Sequence, residues 1–465
     1  MIKRIFTMQL TPRTILLSSS LLAAALLPLS ASAQPFMTLD ARSMAMGDTG
    51  VASAQPGTAS LFNPALLSSG PDSDHLHIVL PNLGLAAFAD PDAIDAYQDI
   101  DDEAYLDQID DAIVAMEDAV NDSQFLSAKQ DFTSNSRALN DDLDALSNQP
   151  FRINGAAFAS ISAPGTNLGM ALFVNANATL ETSPRVSACD NQLLDDYLTF
   201  FESVNSQAEL ALAAADPVRN QAGCDDVPIV NLGDGSIHDP TDDLTSDVLV
   251  AGVTVTEVGV SLSKEVMIFG RDVSLGITPK LQSITSYYAV PNVQDLENEH
   301  YDLADELEAS ENTDDDFNLD LGLATTFLDD RVTLGLVVKN LIANQYRTKV
   351  SPNTGEAAEF DVETQARLGL AWDAPLGLTL AADLDLTRNQ PYFLGEDTQF
   401  LGAGVEWDVA SIVRLRGGVR TNLADNDDHV FTAGVGFNII AVYVDLAAQF
   451  SENNAGGALQ MGVQF

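Results

Sequence analysis

The sequence predicts an all-β protein, a transmembrane barrel of about 14 antiparallel strands with an N-terminal plug and partly helical outer loops. Three observations predict it: a secretory leader, period-two hydrophobicity from residue 76 onward, and short turns that alternate with long loops. The expected division is a signal peptide at 1–33, a plug at 34–75 and a barrel at 76–465.

The first 33 residues have the order of a secretory signal peptide. Lys3, Arg4 and Arg13 flank the start of an apolar run at 15–29, and Ala31-Ser32-Ala33 supplies a small-residue cleavage site. A membrane anchor is disfavoured because the run is short and interrupted by serines. No later stretch has the roughly 18 consecutive apolar residues of a spanning helix, so entry into a membrane would require a closed sheet.

The last strand shows the alternation most clearly. One face would carry Leu459, Met461, Val463 and Phe465, and the other face small and amide side chains. In a soluble sandwich the apolar face is the interior, whereas in a membrane barrel it meets lipid. We predict the second arrangement, with Phe465 ending the last strand at the periplasmic side.

The same alternation places the other strands. They are expected near 76–88, 151–162, 166–179, 248–263, 271–288, 316–327, 332–342, 362–373, 376–387, 398–408, 411–421, 429–438 and 440–450. Tight turns at Ala163-Pro164-Gly165, Asp329-Asp330 and Ala374-Pro375 interleave with long loops near 89–150, 180–247, 289–315 and 343–361. Short periplasmic turns and long outer loops are the topology of outer-membrane barrels.

The second face of these strands carries charged side chains, which predicts an enclosed lumen where opposite charges pair. The lumen candidates are Lys280, Arg367, Asp383, Asp385, Glu406, Arg414, Arg416, Arg420 and Asp445. An ion-paired interior without any transport role is an equally good interpretation. Arg414, Arg416 and Arg420 on one face also permit contact with an anion or carboxylate.

Two of the long loops, near 89–150 and 180–247, show helical spacing of apolar residues. In the first, Ile109, Ile113, Met116 and Val120 recur among many acids. In the second, the stripe comprises Leu193, Tyr197, Phe201 and Val204. These stripes are expected to pack over the barrel mouth or against each other, and a contact surface for a second protein is the alternative.

The two cysteines and the net charge indicate the surroundings in which the protein works. Cys189 and Cys224 lie in one polar stretch of an exported chain, which predicts a loop disulfide. The net charge of −47 disfavours nucleic-acid binding, because such a surface repels phosphate. A marine or otherwise salt-rich habitat explains it, since concentrated salt screens the repulsion.

Catalysis has little support in the sequence. The histidines lie outside any recognisable nucleophile or metal motif, and His75-x-His77 lacks a third ligand. Gly233-Asp234-Gly235 lacks the Lys-Ser/Thr that follows a phosphate loop. We therefore predict neither enzymatic activity nor a cofactor nor a metal.

The stretch before the first strand carries the most specific motif. Ala41-Arg42-Ser43-Met44-Ala45-Met46-Gly47 is followed, after a spacer, by Leu61-Phe62-Asn63-Pro64-Ala65, with small residues and a fixed turn at Asn63-Pro64. This pattern resembles the N-terminal hatch of the FadL-type long-chain fatty-acid and hydrocarbon transporters. The acidic loops and Gly335-Leu336-Val337-Val338-Lys339-Asn340-Leu341 resemble the branch named conjugal transfer protein TraF. The unrelated thioredoxin-like TraF does not apply, because the sequence has no Cys-x-x-Cys.

The resemblance implies hatch residues and a function. Asn63, Pro64 and Ala65 would carry over as hatch residues, with Arg42 and Gly47 in the preceding motif. The implied function is uptake or binding of hydrophobic small molecules through a plugged barrel in a Gram-negative outer membrane. The rival function is a surface protein whose acidic helical loops engage a partner. Expected partners are the bilayer, a hydrophobic ligand and the barrel-assembly machinery, which would contact the strand ending in Phe465.

Overall fold

The computed structural model shows a closed antiparallel barrel of 14 strands. It describes residues 32–33, 36, 38–69, 76–103, 105–206, 208–210, 229–230, 236–238, 243–292, 295, 301–351, 354–395, 397–409, 412–424 and 429–465. The predicted fold class and strand number are confirmed. Within the described residues, no helix is both long and apolar enough to span a bilayer.

The barrel strands follow each other in chain order, and the last pairs with the first. They are β1 His77–Phe88, β2 Phe151–Ala163, β3 Gly169–Arg185, β4 Asp247–Ile268, β5 Arg271–Ala289, β6 Asn312–Phe327, β7 Val332–Lys339, β8 Gln365–Ala374, β9 Leu378–Asp385, β10 Phe400–Val409, β11 Val413–Asn422, β12 His429–Ile439, β13 Val442–Phe450 and β14 Asn454–Gln464. Leu459 of β14 lies opposite Leu83 of β1 and closes the barrel. Strands β3 and β6 extend further into the long loops than the sequence predicts, and β4 extends further toward its short turn.

The outer face of the barrel is apolar. Along β10, Leu401 and Trp407 are exposed, whereas Glu406 between them is buried. Trp372 and Trp407 both lie near the short-turn end, at 44% and 47% exposure, where a membrane barrel carries interfacial aromatic residues. The backbone amide of Phe465 donates to Leu76, so both ends of the barrel sheet lie at this same end.

In the part of the chain that the structure describes, helices lie in three of the long loops. The first loop holds α3 Pro91–Glu103, α4 Tyr105–Glu117 and α5 Asp122–Leu146, the second holds α6 Ala188–Ser203, and the third holds α7 Leu303–Ala309. Two short helices, α1 Ala41–Met44 and α2 Ala59–Phe62, precede the barrel. The stripes of α4 and α6 share one buried cluster that includes Ile109, Tyr197 and Phe201. We call α3 to α6 the helical unit.

One stripe residue was predicted wrongly. Val120 is 84% exposed, because α4 ends at Glu117 and Val120 lies beyond it, next to the Asn121 cap of α5. Cys189 lies in the first turn of α6, whereas Cys224 lies outside the described residues. The Cys189–Cys224 disulfide therefore stays a prediction.

Two small strand pairs lie outside the barrel sheet. Asn344–Arg347 and Glu359–Val362 form an antiparallel hairpin in the loop after β7. Tyr346 of this hairpin stacks on Phe360 and packs in a buried cluster with Tyr392. Burial, with the hydrogen bond that its hydroxyl donates to Asp316 (2.7 Å), raises the pKa of Tyr346 above its ordinary value. Ser32–Ala33 pairs in parallel with Arg388–Asn389.

Candidate functional site

The residues described between 36 and 69, which we call the internal segment, are almost entirely buried and contact inward-facing residues of the barrel wall. Helix α1 begins at the Asp40 cap, whose carboxylate accepts from the Ser43 amide at 2.9 Å. Asn63 caps a 3₁₀ turn over Pro64–Ser68, and its side chain accepts from the Ala65 amide. Proline fits the first position of this turn because that position needs no amide proton.

Asn63 also joins the internal segment to itself and to the wall. Its amide nitrogen donates to the Val51 carbonyl at 2.9 Å and to the Leu323 carbonyl of β6 at 3.0 Å. The hydroxyl of Ser263 in β4 donates to the Ala65 carbonyl at 3.1 Å. The Asn63-Pro64-Ala65 motif therefore lies against the wall through polar contacts with two strands.

Glycines in the wall let the internal segment approach the strand backbones. A Cβ added to Gly402 would overlap the carbonyl oxygen of Gly47, and one added to Gly276 would overlap the amide of Ala65. Gly47 itself has φ +68°, a conformation that favours glycine. Wall glycines of this kind are Gly84, Gly169, Gly276, Gly322, Gly335, Gly369, Gly402, Gly404, Gly418 and Gly434.

An ion-pair cluster joins α1 to three wall strands. Arg42 binds Glu406 through two nitrogens, each at 3.0 Å. Arg416 contacts the same carboxylate at 2.6 Å and Asp445 of β13 at 2.6 Å. All four side chains are at most 10% exposed, so the charges interact in a medium of low dielectric.

A second set of contacts holds the turn after α1. Arg420 of β11 forms an ion pair with Asp48. Asp383 of β9 accepts from the amides of Gly50 (2.7 Å) and Val51 (2.9 Å). The internal segment is therefore fastened through both its side chains and its backbone.

The other lumen candidates pair within the wall. Arg367 binds Asp385 at 2.5 Å. Lys280 of β5 lies between Glu257 (2.8 Å) and Asp320 (3.0 Å). Arg414 differs from the rest, because it is only partly buried and lies 3.7 Å from Asp408 at the short-turn end. The structure thus brings the predicted lumen residues into several separate clusters.

On the long-loop side of the internal segment lies a cavity of about 580 Å³, which we call the chamber. Phe36 and Leu39 of the internal segment contribute to its lining, and strand ends and loops contribute the rest. Its charged lining residues are Asp90, Arg152, Glu181, Glu257, Lys280, Lys339 and Arg420.

Of these seven charged residues the sequence predicted only Lys280 and Arg420 as lumen candidates, and it missed Asp90, Arg152, Glu181, Glu257 and Lys339. Arg152 pairs with Glu181 at 2.8 Å. Lys339 donates to the Leu61 carbonyl at 2.9 Å and lies 4.6 Å from the Phe36 ring centroid. A signal was available, since Lys339 has the same strand parity as the inward-facing Gly335 and Val337.

The described histidines do not form a reactive site. His77 is buried in β1, His238 contacts Asp243, and His429 contacts the Thr421 hydroxyl. His75 and His300 lie outside the described residues. In the part of the chain that the structure describes, no group of three or more His, Cys, Asp or Glu residues could hold a metal.

A family comparison decides where the chain belongs. The family described as F plasmid transfer operon, TraF, protein matches residues 60–385, which is more than half of the sequence. The chain belongs to this TraF family. The predicted resemblance is thereby confirmed. No protein with curated annotation matches the chain in sequence.

The TraF match covers the candidate residues unequally. It includes the Asn63-Pro64-Ala65 motif and the lumen residues from Lys280 to Asp385. Arg42 and Gly47 precede it, and Glu406, Arg414, Arg416, Arg420 and Asp445 follow it. The ion-pair cluster around Glu406 therefore lies outside the matched region.

Several solved structures are similar to the TraF chain in fold, at low identity. The Ralstonia pickettii toluene transporter TbuX is 12% identical over 92% of this chain and 98% of that chain, with a TM-score of 0.48. The Pseudomonas putida toluene transporter TodX is 10% identical over 94% and 98%, with a TM-score of 0.42. A Pseudomonas aeruginosa FadL homologue is 10% identical over 94% and 99%, with a TM-score of 0.43.

Proposed function

We propose that this TraF-family chain is an outer-membrane channel whose internal segment closes the lumen and whose chamber receives small molecules. One observation carries the proposal: a segment fastened to the wall by buried ion pairs lies directly beside a cavity of about 580 Å³. That volume falls within the range of ligand pockets, roughly 300 to 1,000 Å³.

The location follows from the outer surface. An apolar outer face with tryptophans near one end suits a bilayer, and the predicted secretory signal directs the chain out of the cytoplasm. We place the barrel in the outer membrane of a Gram-negative bacterium. The long loops and the chamber would then face the outside.

The sequence also predicts a hydrophobic ligand. Phe36, Leu39, Val255, Val362 and Leu394 offer apolar surface in the chamber. A ligand gains roughly 25 cal/mol for each Å² of apolar surface that such contacts remove from water. The channel function itself does not depend on this ligand class.

Flux through liposomes tests the channel function. Purified full-length barrel is reconstituted, and entry of toluene, D-glucose and D-glucuronate is followed with time. We expect protein-dependent entry of at least one of these solutes. Equal rates in protein-free and protein-containing liposomes, for all three, would contradict the proposal.

Exchange of residues 39–67 for a neutral linker of equal length tests the closing role. Removing the segment opens the lumen, so ion conductance in a planar bilayer should rise. The circular dichroism of the β-sheet must stay unchanged for the comparison to count. Unchanged conductance in a folded variant would show that the segment does not close the channel.

A second candidate function is partner recruitment by the helical unit, favoured by its own hydrophobic core and its acidic exposed faces. Asp107, Asp111 and Asp118 of this unit are exposed. Their joint replacement by Asn should lower plasmid transfer between cells while liposome flux stays unchanged. Asp272, Asp329 and Asp373, exposed near the short turns, provide the matched triple Asn control.

A further inference from the structure

The acids that line the chamber are satisfied by protein donors. Glu181 accepts from Arg152 and from the amides of Phe393 (3.1 Å) and Leu394 (2.8 Å). Glu257 accepts from Lys280 and from the side-chain amides of Gln282 (2.8 Å) and Asn175 (3.2 Å). The Asp90 carboxylate accepts a hydrogen bond from the backbone amide of Asp92 at 2.9 Å. Glu181 and Glu257 are therefore each paired with a cationic side chain, whereas Asp90 accepts from a backbone amide.

Lys339 is the cationic side chain of the lining whose unused donors a ligand can reach, in the part of the chain that the structure describes. Among the described residues, no carboxylate lies within ion-pair distance of the Lys339 ammonium, whose printed hydrogen bond goes to the Leu61 carbonyl. An ammonium has three donors, so two can reach a ligand. Arg420 pairs with Asp48 through Nη1, but its buried Nε has no partner in the described part of the chain. That Nε is almost inaccessible to water, so the donors open to a ligand are those of Lys339.

Carboxamides and hydroxyls dominate the rest of the polar lining. They are Asn148, Gln149, Asn154, Asn177, Thr179, Gln282, Asn340, Gln365, Thr398, Asn422 and Asn454. Each carboxamide offers both donors and acceptors, which suits hydroxyl groups. Gln282 with Asn340 and Thr179 with Asn154 already bond to each other. A hydrocarbon would return no hydrogen bond to the polar groups of this lining that it removes from water, which is unfavourable.

The distribution of basic side chains also favours an anionic ligand in the chamber. The chain carries 21 basic residues against 68 acidic ones, yet Arg152, Lys280, Lys339 and Arg420 all line this one cavity. Four basic side chains thus line the cavity in which Glu181 and Glu257 are already paired. Arg152, Lys280 and Arg420 each pair with a carboxylate, so the positive charge that the chamber offers to a ligand is that of Lys339.

We propose that the chamber binds a small polar organic anion, a carboxylate on a hydroxylated body, with the carboxylate at Lys339 and the hydroxyls at the carboxamides. This assignment rests on the proposed channel function and adds its substrate class. The sequence predicts a hydrophobic ligand instead, and toluene is the probe that tests that alternative.

Calorimetric titration of the full-length barrel in detergent tests the assignment, with D-glucuronate as the probe. D-glucose is the matched neutral sugar, and toluene is the apolar comparison. We expect glucuronate to bind at least about tenfold more tightly than glucose, because only glucuronate pairs with the ammonium. Toluene should not compete with it.

Variants at Lys339 locate the contact. Lys339→Gln should weaken glucuronate binding by about tenfold or more, whereas Lys339→Arg keeps the charge and should retain it. Lys264→Gln is the matched control, because Lys264 is an exposed lysine of β4 that does not line the chamber. It should leave binding unchanged.

The outcomes separate the two proposals. Equal binding of glucuronate and glucose by the unaltered protein, equal affinity of Lys339→Gln and the unaltered protein, or displacement of glucuronate by toluene would each overturn the anion site. Because the first comparison uses only the unaltered protein, it holds even where a variant does not fold. Liposome flux of any solute without glucuronate binding would remove the ligand class and leave the channel function standing.

Discussion

Glu406 is the residue on which the attachment of α1 to the wall depends most. Its carboxylate contacts two arginines, Arg42 from the internal segment and Arg416 from β11, and both are nearly inaccessible to water. Without the negative charge, Arg42 would lose its carboxylate partner and face the Arg416 guanidinium, which would keep only Asp445. Such an arrangement is strongly destabilising, even where the intact pair adds little net stability.

We therefore expect Glu406→Gln to lower the free energy of unfolding by about 3 to 5 kcal/mol and to raise ion conductance. Urea titration in detergent measures the first effect, and planar-bilayer recording measures the second. Asp408→Asn on the same strand is the control, because its contact to Arg414 is long and partly exposed. That control should change stability by less than about 1 kcal/mol. Equal effects of the two variants would contradict the role of Glu406.

Asn63 allows a second residue-level prediction, based on hydrogen-bond direction. Its side-chain nitrogen donates to two carbonyls, so a carboxylate there would face two acceptors. Asn63→Ala should cost about 1 to 3 kcal/mol, and Asn63→Asp should cost more although it is closer in shape. The measurement is urea unfolding of the three proteins at neutral pH. An Asp variant as stable as the unaltered protein would disprove this orientation of the amide.

Single lumen residues could be predicted from strand parity, but their partners could not. Arg416 and Arg420 alternate with apolar residues on β11, and this pattern is visible in the sequence. That Arg416 meets Glu406 depends on the register between β10 and β11, which places the two residues opposite each other. The contact of Arg420 with Asp48 depends on where a distant segment lies, so neighbouring residues contain no signal for it.

At the scale of elements, the internal segment and the barrel wall fit together backbone against backbone. The wall lacks side chains where the segment passes closest, as at Gly402 beside Gly47. A methyl group there must displace either the segment or the strand, because the opposing atom belongs to the backbone. The fit is therefore steric as well as electrostatic.

Gly402→Ala should displace the internal segment and raise ion conductance in planar bilayers, with a loss of about 1 to 3 kcal/mol in stability. Gly155→Ala is the matched control, because a Cβ added to that wall glycine has no neighbour within 4 Å. It should keep the conductance of the unaltered barrel. Identical conductance of the two variants would argue against close packing at Gly402.

The sequence predicted the α4 and α6 stripes of the helical unit's core but not the side chains of α5, such as Phe125, Phe132 and Leu139. The apolar stripes of α4 and α6 meet in one cluster, and the ring centroids of Phe132 and Phe201 are 4.7 Å apart. Val120 was misplaced because spacing alone does not reveal that α4 ends at Glu117. Which helix would pack on which also lay beyond the sequence, since this depends on how loops from different strands meet.

We expect Phe201→Ala to destabilise the helical unit by about 3 to 5 kcal/mol, since Phe201 is fully buried. Amide hydrogen exchange should then speed up in α4 to α6 but not in the barrel strands. Val120→Ala is the control and should leave exchange unchanged. Faster exchange throughout the barrel would show that the helical unit and the barrel unfold together.

For the whole molecule, the strand number and fold class followed from the sequence because each barrel strand repeats the same requirement. Every strand must place apolar side chains outward and polar or small ones inward, so period two recurs 14 times. The path of the internal segment has no such repetition. Its place results from individual contacts such as Arg42 with Glu406, which a local pattern does not encode.

The net charge of −47 leads to a prediction about the whole molecule. Exposed acids on the helical unit repel each other over about 10 Å at 0.1 M salt but only about 3 Å at 1 M. The buried ion pairs of the lumen are shielded from salt by the protein around them. Raising salt should therefore increase the unfolding temperature of the helical unit, followed by helix circular dichroism in a neutral detergent, more than that of the barrel. NaCl and KCl should act alike if screening is the cause, and a helical unit indifferent to both would refute this explanation.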